Sequence, residues 1–203
     1  MKHRMTGLLV GIAIGGFLAF VPPHFAAEGS GSISCWSRSD AKSYNYTARY
    51  EGYKFGGGWW NNNNAHDSGE GPDCSGLVFK SWAMVNSWGS TGKYYWSWGH
   101  DIHGPYGSWH FRDGCGGACY DVCGSGPGSA CGSNSYSSTI YMDAFAKDGH
   151  VAAIYSEGSS GNDWFVNALN PTVGVVYTNS GYRTDPAYDG VRRKLWSSSC
   201  LPQ

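Results

Sequence analysis

The chain has 203 residues, 14 Lys plus Arg against 15 Asp plus Glu, and a formal net charge of -1. That is one domain's worth of chain, and no basic stripe argues for a nucleic-acid partner. With 31 Gly, 10 Trp and 14 Tyr but only 14% charged side chains, the composition suits a loop-rich, rigid extracellular domain with aromatic surfaces.

The first predicted element is a leader. Lys2, His3 and Arg4 precede an apolar, Gly-containing run from Leu8 to Val21, and a Pro22-Pro23-His24 break follows. This reads as a secretory signal peptide over 1–27, with cleavage after Ala27 or Gly29 both fitting. The run is too short and too Gly-rich for a membrane span, and no lasting membrane anchor is expected. Removing Lys2 and Arg4 leaves 12 of the 14 basic side chains, so the mature chain is mildly acidic. An extension over 28–45, a domain over 46–196 and a short tail over 197–203 complete the expected organisation.

Ser39-Asp40 is placed as the cap of a helix carrying Ala41, Tyr44, Ala48 and Tyr50. Tyr53-Lys54-Phe55-Gly56-Gly57-Gly58 follows, where glycines permit close backbone approach. Residues 59–71 read as a loop with four consecutive asparagines. Asp73 then caps a helix predicted to run through Leu77, Val78, Lys80, Trp82 and Val85 to about Asn86. Cys74 falls in its first turn, where free N–H groups and the helix dipole favour a thiolate.

Residues 87–139 have no clear period and hold Tyr94, Tyr95, Trp96, Trp98, Tyr106 and Trp109 together with Cys115, Cys119, Cys123 and Cys131. His100, His103 and His110 with Cys115 and Cys119 suggest zinc on paper, but an exported chain favours disulfides, and no metal or other cofactor is expected. Seven cysteines in such a chain leave one thiol over. If that is Cys74, six others form three bridges. Cys35–Cys200 is the preferred terminal pair, with the four central cysteines pairing locally.

From Thr139 the pattern changes to short strands. Ile140, Met142, Ala144 and Ala146 form the first, and Lys147-Asp148-Gly149 turns the chain. His150–Tyr155 is the second strand, 156–163 a hairpin loop, Trp164–Ala168 and Gly174–Tyr177 the third and fourth, and Gly190–Trp196 the last. Helices followed by a strand meander predict an α+β domain, its antiparallel sheet of about five strands packed on the Cys74 helix. His150 and Asn167 lie on neighbouring strands, so Asn167 can orient the His150 ring while the ring's other nitrogen faces Cys74. Asn170, nearer the following turn, is the alternative orienting group.

Gly71-Pro72-Asp73-Cys74-Ser75-Gly76-Leu77-Val78 resembles the nucleophile motif of the NlpC-type family of bacterial cell-wall cysteine peptidases. His150-Val-Ala-Ala-Ile-Tyr155, Phe165-Val166-Asn167-Ala168, Tyr53-Lys-Phe-Gly-Gly57 and Tyr188-Asp-Gly-Val-Arg-Arg193 resemble further motifs of that family, in its order, across roughly residues 40–196. The resemblance implies a papain-like fold reduced to its core, with Cys74 as nucleophile, His150 as base and then acid, and Asn167 as orienting group. It implies that the Tyr53 hydroxyl helps bind the oxyanion, and that Asp73 and Ser75 hold a substrate's free amino end. The implied substrate is peptidoglycan peptide, often cut between D-glutamate and a diamino acid, by a secreted monomer at the cell wall. This chain departs in having Asn where the family most often has His, and Met142-Asp143-Ala144 where Gly-Asp-Leu is expected. Two other readings are an acyltransferase or toxin on the same site, and a disulfide-rich glycan-binding module using Trp59, Trp60, Trp96 and Trp98.

Overall fold

The structure is a computed structural model that describes residues 36–57, 71–84, 107–122, 139–194 and 196. The predicted leader, the Cys35–Cys200 pair, Cys123, Cys131, His100, His103, Trp59, Trp60, Trp96 and Trp98 lie outside the described residues.

Helix α1 spans Arg38–Thr47, and its cap is Ser37 rather than Ser39 or Asp40. The Ser37 hydroxyl accepts from the Asp40 N–H and donates to the Asp40 carboxylate at 2.6 Å. Ala41, Tyr44 and Asn45 turn inward from this helix. Past its end, Tyr50 adopts φ 72, and the chain joins the sheet: Tyr50 N–H donates to Val175 C=O and Val175 N–H to Glu51 C=O, both at 2.9 Å.

Helix α2 spans Cys74–Ser81, with all eight residues buried. Its cap is Asp73, as the sequence predicts, but it stops five residues short of Asn86. Ala83 is in the left-handed region at φ 47. Its N–H donates to Lys80 C=O, and the Met84 N–H reaches back to Phe79 C=O. These two bonds close the helix end in the pattern usually built on glycine. Helix α3, Ser108–Arg112, lies in the stretch that showed no period. Phe111 on it meets Trp82 edge to face, with centroids 5.7 Å apart. A disulfide between Cys115 and Cys119 follows, bridging Cα atoms 5.2 Å apart.

Among the described residues six antiparallel strands follow: β1 Cys119–Asp121, β2 Ala144–Lys147, β3 His150–Ser156, β4 Asp163–Asn170, β5 Gly174–Ser180 and β6 Asp189–Arg193, in the order β1-β6-β2-β3-β4-β5. β2 to β5 form the expected meander. β6 departs from it by returning to the far edge of β2, where the three-residue β1 adds a short outer strand. The predicted first strand begins too early. Tyr141–Met142 form a turn, with Met142 at φ 62, so extended pairing starts only at Ala144. The last strand ends at Arg193, and Trp196 makes only an isolated bridge to Trp36. Between β2 and β3, Lys147 pairs directly with His150. Gly149 supplies the φ of 84 that this tight turn requires.

Alternation along the strands divides the core. Val151, Ala153, Val166, Ala168 and Val175 face α1 and α2. Phe145, Ala152, Ile154, Phe165 and Tyr188 form a second cluster, with Tyr182 packed against it. Asp143, wholly buried at the entrance to β2, ties three elements together. Its carboxylate meets Arg38 of α1 at 2.7 Å and Arg192 of β6 at 2.5 Å, and accepts the Ile140 N–H at 3.0 Å.

Candidate active site

The site begins at the junction between the Tyr53–Gly57 segment and the start of α2. Gly57 runs so close to the chain that an added Cβ would lie 2.4 Å from Gly71 C=O. The Asp73 carboxylate accepts from Gly76 N–H at 2.7 Å, from the Ser75 hydroxyl at 3.1 Å and, through its other oxygen, from Gly56 N–H at 2.8 Å. Asp73 and Ser75 are each 3% exposed. Both side chains therefore bind this corner together, and a role in holding a substrate's amino end competes with those bonds.

Cys74 is a free thiol and is buried. Its sulfur accepts from the N–H of Val151, the residue after His150, and from the N–H groups of Ser75 and of Cys74 itself. The helix start thus stabilises negative charge on sulfur, as the sequence predicts. Burial, helped by the Asp73 charge, opposes the expected thiolate and pushes the thiol up to about 11. Removal of water outweighs three N–H donors.

His150 opens β3 and Asn167 lies in mid-β4, wholly buried. The structure brings the two together, with His150 Nε2 3.0 Å from Asn167 Oδ1. The Asn167 amide nitrogen donates to the Tyr182 hydroxyl at 2.8 Å, which turns its oxygen to the ring. Nε2 then carries the ring proton and Nδ1 keeps its lone pair. Asn170 does not share this position. It sits at the end of β4, where its side-chain oxygen accepts the N–H groups of Thr172 and Val173 at 3.0 Å.

Burial also pushes the His150 imidazole down to about 4, with Lys147 adding to the shift and the Asn167 bond opposing it. At neutral pH the thiol, bonded to the Val151 N–H, and the His150 imidazole therefore both rest neutral. Tyr53 is pushed up to about 12 by burial and then by the nearby charges of Cys74 and Asp73, so its phenol keeps its proton. Tyr188 is raised by burial first, with Tyr182, Asp185 and Cys74 contributing.

Sequence reasoning missed the aromatic enclosure of this pair. Tyr182 meets the His150 ring edge to face at 5.5 Å and Tyr188 does so at 6.3 Å, while the two tyrosines stack on each other at 4.6 Å. Tyr182 lies in a single helical turn, Tyr182–Thr184, between β5 and β6. Nothing in its local sequence points to a ring 32 residues earlier.

Among the described residues there is no cluster of His, Cys, Asp and Glu that could hold a metal ion. Cys115 and Cys119 are spent on each other, and His110 stacks on Trp109 at 3.4 Å while its Nδ1 accepts Gly107 N–H. No helix among the described residues is long and apolar enough to cross a membrane. Comparison with protein-family models, with curated proteins and with solved structures found no match.

Proposed function

We propose that this protein is a secreted cysteine peptidase of the NlpC type, with a reduced papain-like fold, that hydrolyses amide bonds in peptidoglycan stem peptides. The observation that carries the reading is the meeting of three parts. An unbridged Cys74 at a helix start touches the peptide joining His150 to Val151, and His150 is bonded to a buried Asn167. These are the parts a thiol nucleophile needs: a sulfur, a base carried by the strand the sulfur touches, and a polar group that fixes the base.

In this mechanism the resting pair is uncharged. As the Cys74 sulfur attacks the peptide carbonyl, its proton passes to His150 Nδ1, and the growing imidazolium is stabilised through Nε2–H by Asn167. The oxyanion is met by the Cys74 backbone N–H and the Tyr53 hydroxyl, which its raised pKa keeps as a donor. His150 then protonates the leaving amine as the C–N bond breaks, leaving a thioester on Cys74. Water, deprotonated by His150, attacks the thioester; the acid product leaves and the thiol is restored. Asp73 and Ser75 enter as the brace of the Tyr53–Cys74 corner.

The test is digestion of purified peptidoglycan of defined chemistry, with fragments identified by mass spectrometry. Wild-type protein should release peptides with a new amino end, and Cys74→Ala should release none while retaining its native circular dichroism. Full activity in Cys74→Ala ends this reading. Transfer of the acyl group to an added amine instead of water would assign the same site to an acyltransferase.

A further inference from the structure

On the α1 side of the sheet, beyond the residues that α2 covers, lies a set of rings that the proposed chemistry does not use. Trp164 of β4 and Tyr177 of β5 stack with centroids 5.0 Å apart and planes 15° from parallel. They are 39% and 37% exposed. Tyr155 of β3 meets Tyr177 edge to face at 5.3 Å, and Tyr46 of α1 stacks on Tyr155 at 5.0 Å. Two cations border these rings: Arg49 lies 3.8 Å over Tyr46, and Lys42 4.4 Å over Tyr155. Each ring is braced by another ring or a cation, so presenting the surface costs little side-chain entropy.

We propose that this surface is a binding track for a chain of β-linked amino sugars, the glycan backbone of the polymer whose peptides the Cys74 site cleaves. The chemistry of the surface matches that of a pyranose strand. A sugar ring has an apolar C–H face that lies flat on an aromatic ring and a polar edge that Tyr hydroxyls can meet, and tyrosine and tryptophan offer both characters. Trp164 and Tyr177 leave more than a third of their surface open to such a ring. Arg49 and Lys42 complement the carboxylates carried by stem peptides along such a strand.

Continuity with the candidate site gives the direction. Tyr177 lies two residues along β5 from Val175, and Val175 is bonded to the Tyr50–Glu51 backbone just ahead of Tyr53. One strand rises about 3.3 Å per residue, so the track starts within about 7 Å of that junction. A glycan lying on it would feed its attached peptides towards Cys74.

This inference takes its choice of sugar from the peptidoglycan reading, so the test measures binding without hydrolysis. In the Cys74→Ala background, binding is measured to chitohexaose, the hexamer of β-1,4-linked N-acetylglucosamine, by calorimetry and to purified sacculi by co-sedimentation. Trp164→Ala and Tyr177→Ala should each weaken binding to both probes about tenfold. Trp164→Phe and Tyr177→Phe, which keep a ring, should retain most of it and guard against a folding artefact. In the Cys74 wild type, Trp164→Ala should cleave a short sugar-free peptide substrate at the unaltered rate. Binding unchanged in both alanine variants, or no binding to either probe before mutation, overturns the track. Retention on sacculi that survives both alanine substitutions assigns wall attachment to another surface and likewise overturns it. Ring-dependent binding without any hydrolysis would leave the track standing and remove the peptidase.

Discussion

The Cys74 thiol and the His150 imidazole are held neutral by one cause, the loss of water around both. A thiol pushed from 9 to about 11 is ionised at neutral pH about two orders of magnitude less than an unperturbed one. Iodoacetamide should therefore alkylate native Cys74 at pH 7 about a hundredfold more slowly than the same cysteine in urea-unfolded protein, with the rate climbing continuously towards pH 11. A rate plateau already reached below pH 7 would mean a resting thiolate–imidazolium pair instead. At this scale the sequence is half legible. Asp73, Cys74, His150 and Asn167 can be placed from a cap, a helix start and strand alternation, all local patterns. The charge state of Cys74 cannot, because the burial that sets it comes from β3 and the Tyr53 segment closing over the helix end. Tyr182 is hidden for the same reason: it reaches Asn167 only after β4 and β5 have paired.

Asp143 shows how elements are fastened where sequence periodicity is silent. The tripeptide Met142-Asp143-Ala144 looks like an ordinary strand start, yet the carboxylate is wholly buried between two guanidinium groups from distant segments. Asp143→Ala leaves Arg38 and Arg192 without their shared acid and the Ile140 N–H without its acceptor. We expect it to cost about 3 kcal/mol of unfolding free energy, read as a lowered urea midpoint at constant m-value. A loss below about 0.5 kcal/mol would show the cluster to be surface-like in strength. Strands β3, β4 and β5 were readable because each carries a short apolar or aromatic run opened by Gly149, Asp163 or Gly174. The end of α2 was not, because the chain stays apolar through Val85 while Ala83 takes a left-handed turn that only tertiary packing selects. β1 and α3 are too short to carry a period.

Taken as a whole, the molecule carries two opposite linkages between folding and protons. His150 is pushed from 6.5 to about 4 by folding, so between these values the unfolded chain binds more protons and stability falls as pH is lowered. Above about 6.5 this contribution is complete, and below about 4 it changes no further. Its full size is about 3 kcal/mol, at about 1.4 kcal/mol per unit. Cys74 is pushed from 9 to about 11, so the folded chain holds the extra proton there and stability falls as pH rises through that window. Melting temperature should thus decline on both sides of a neutral plateau, and His150→Gln should flatten the limb between pH 6.5 and 4. An identical acid limb in that variant would place the acid sensitivity elsewhere. The α+β class and antiparallel meander were legible at this scale. The return of β6 to the edge of β2 was not, since strand order is set by long-range pairing rather than by any one segment.

The neutral state of Cys74 has a further effect during maturation. Six other cysteines share this chain, and thiol–disulfide exchange proceeds through the ionised sulfur. Once α2 has docked, Cys74 drops out of that traffic. The native protein should therefore keep the Cys74 thiol unscrambled in air without added reductant.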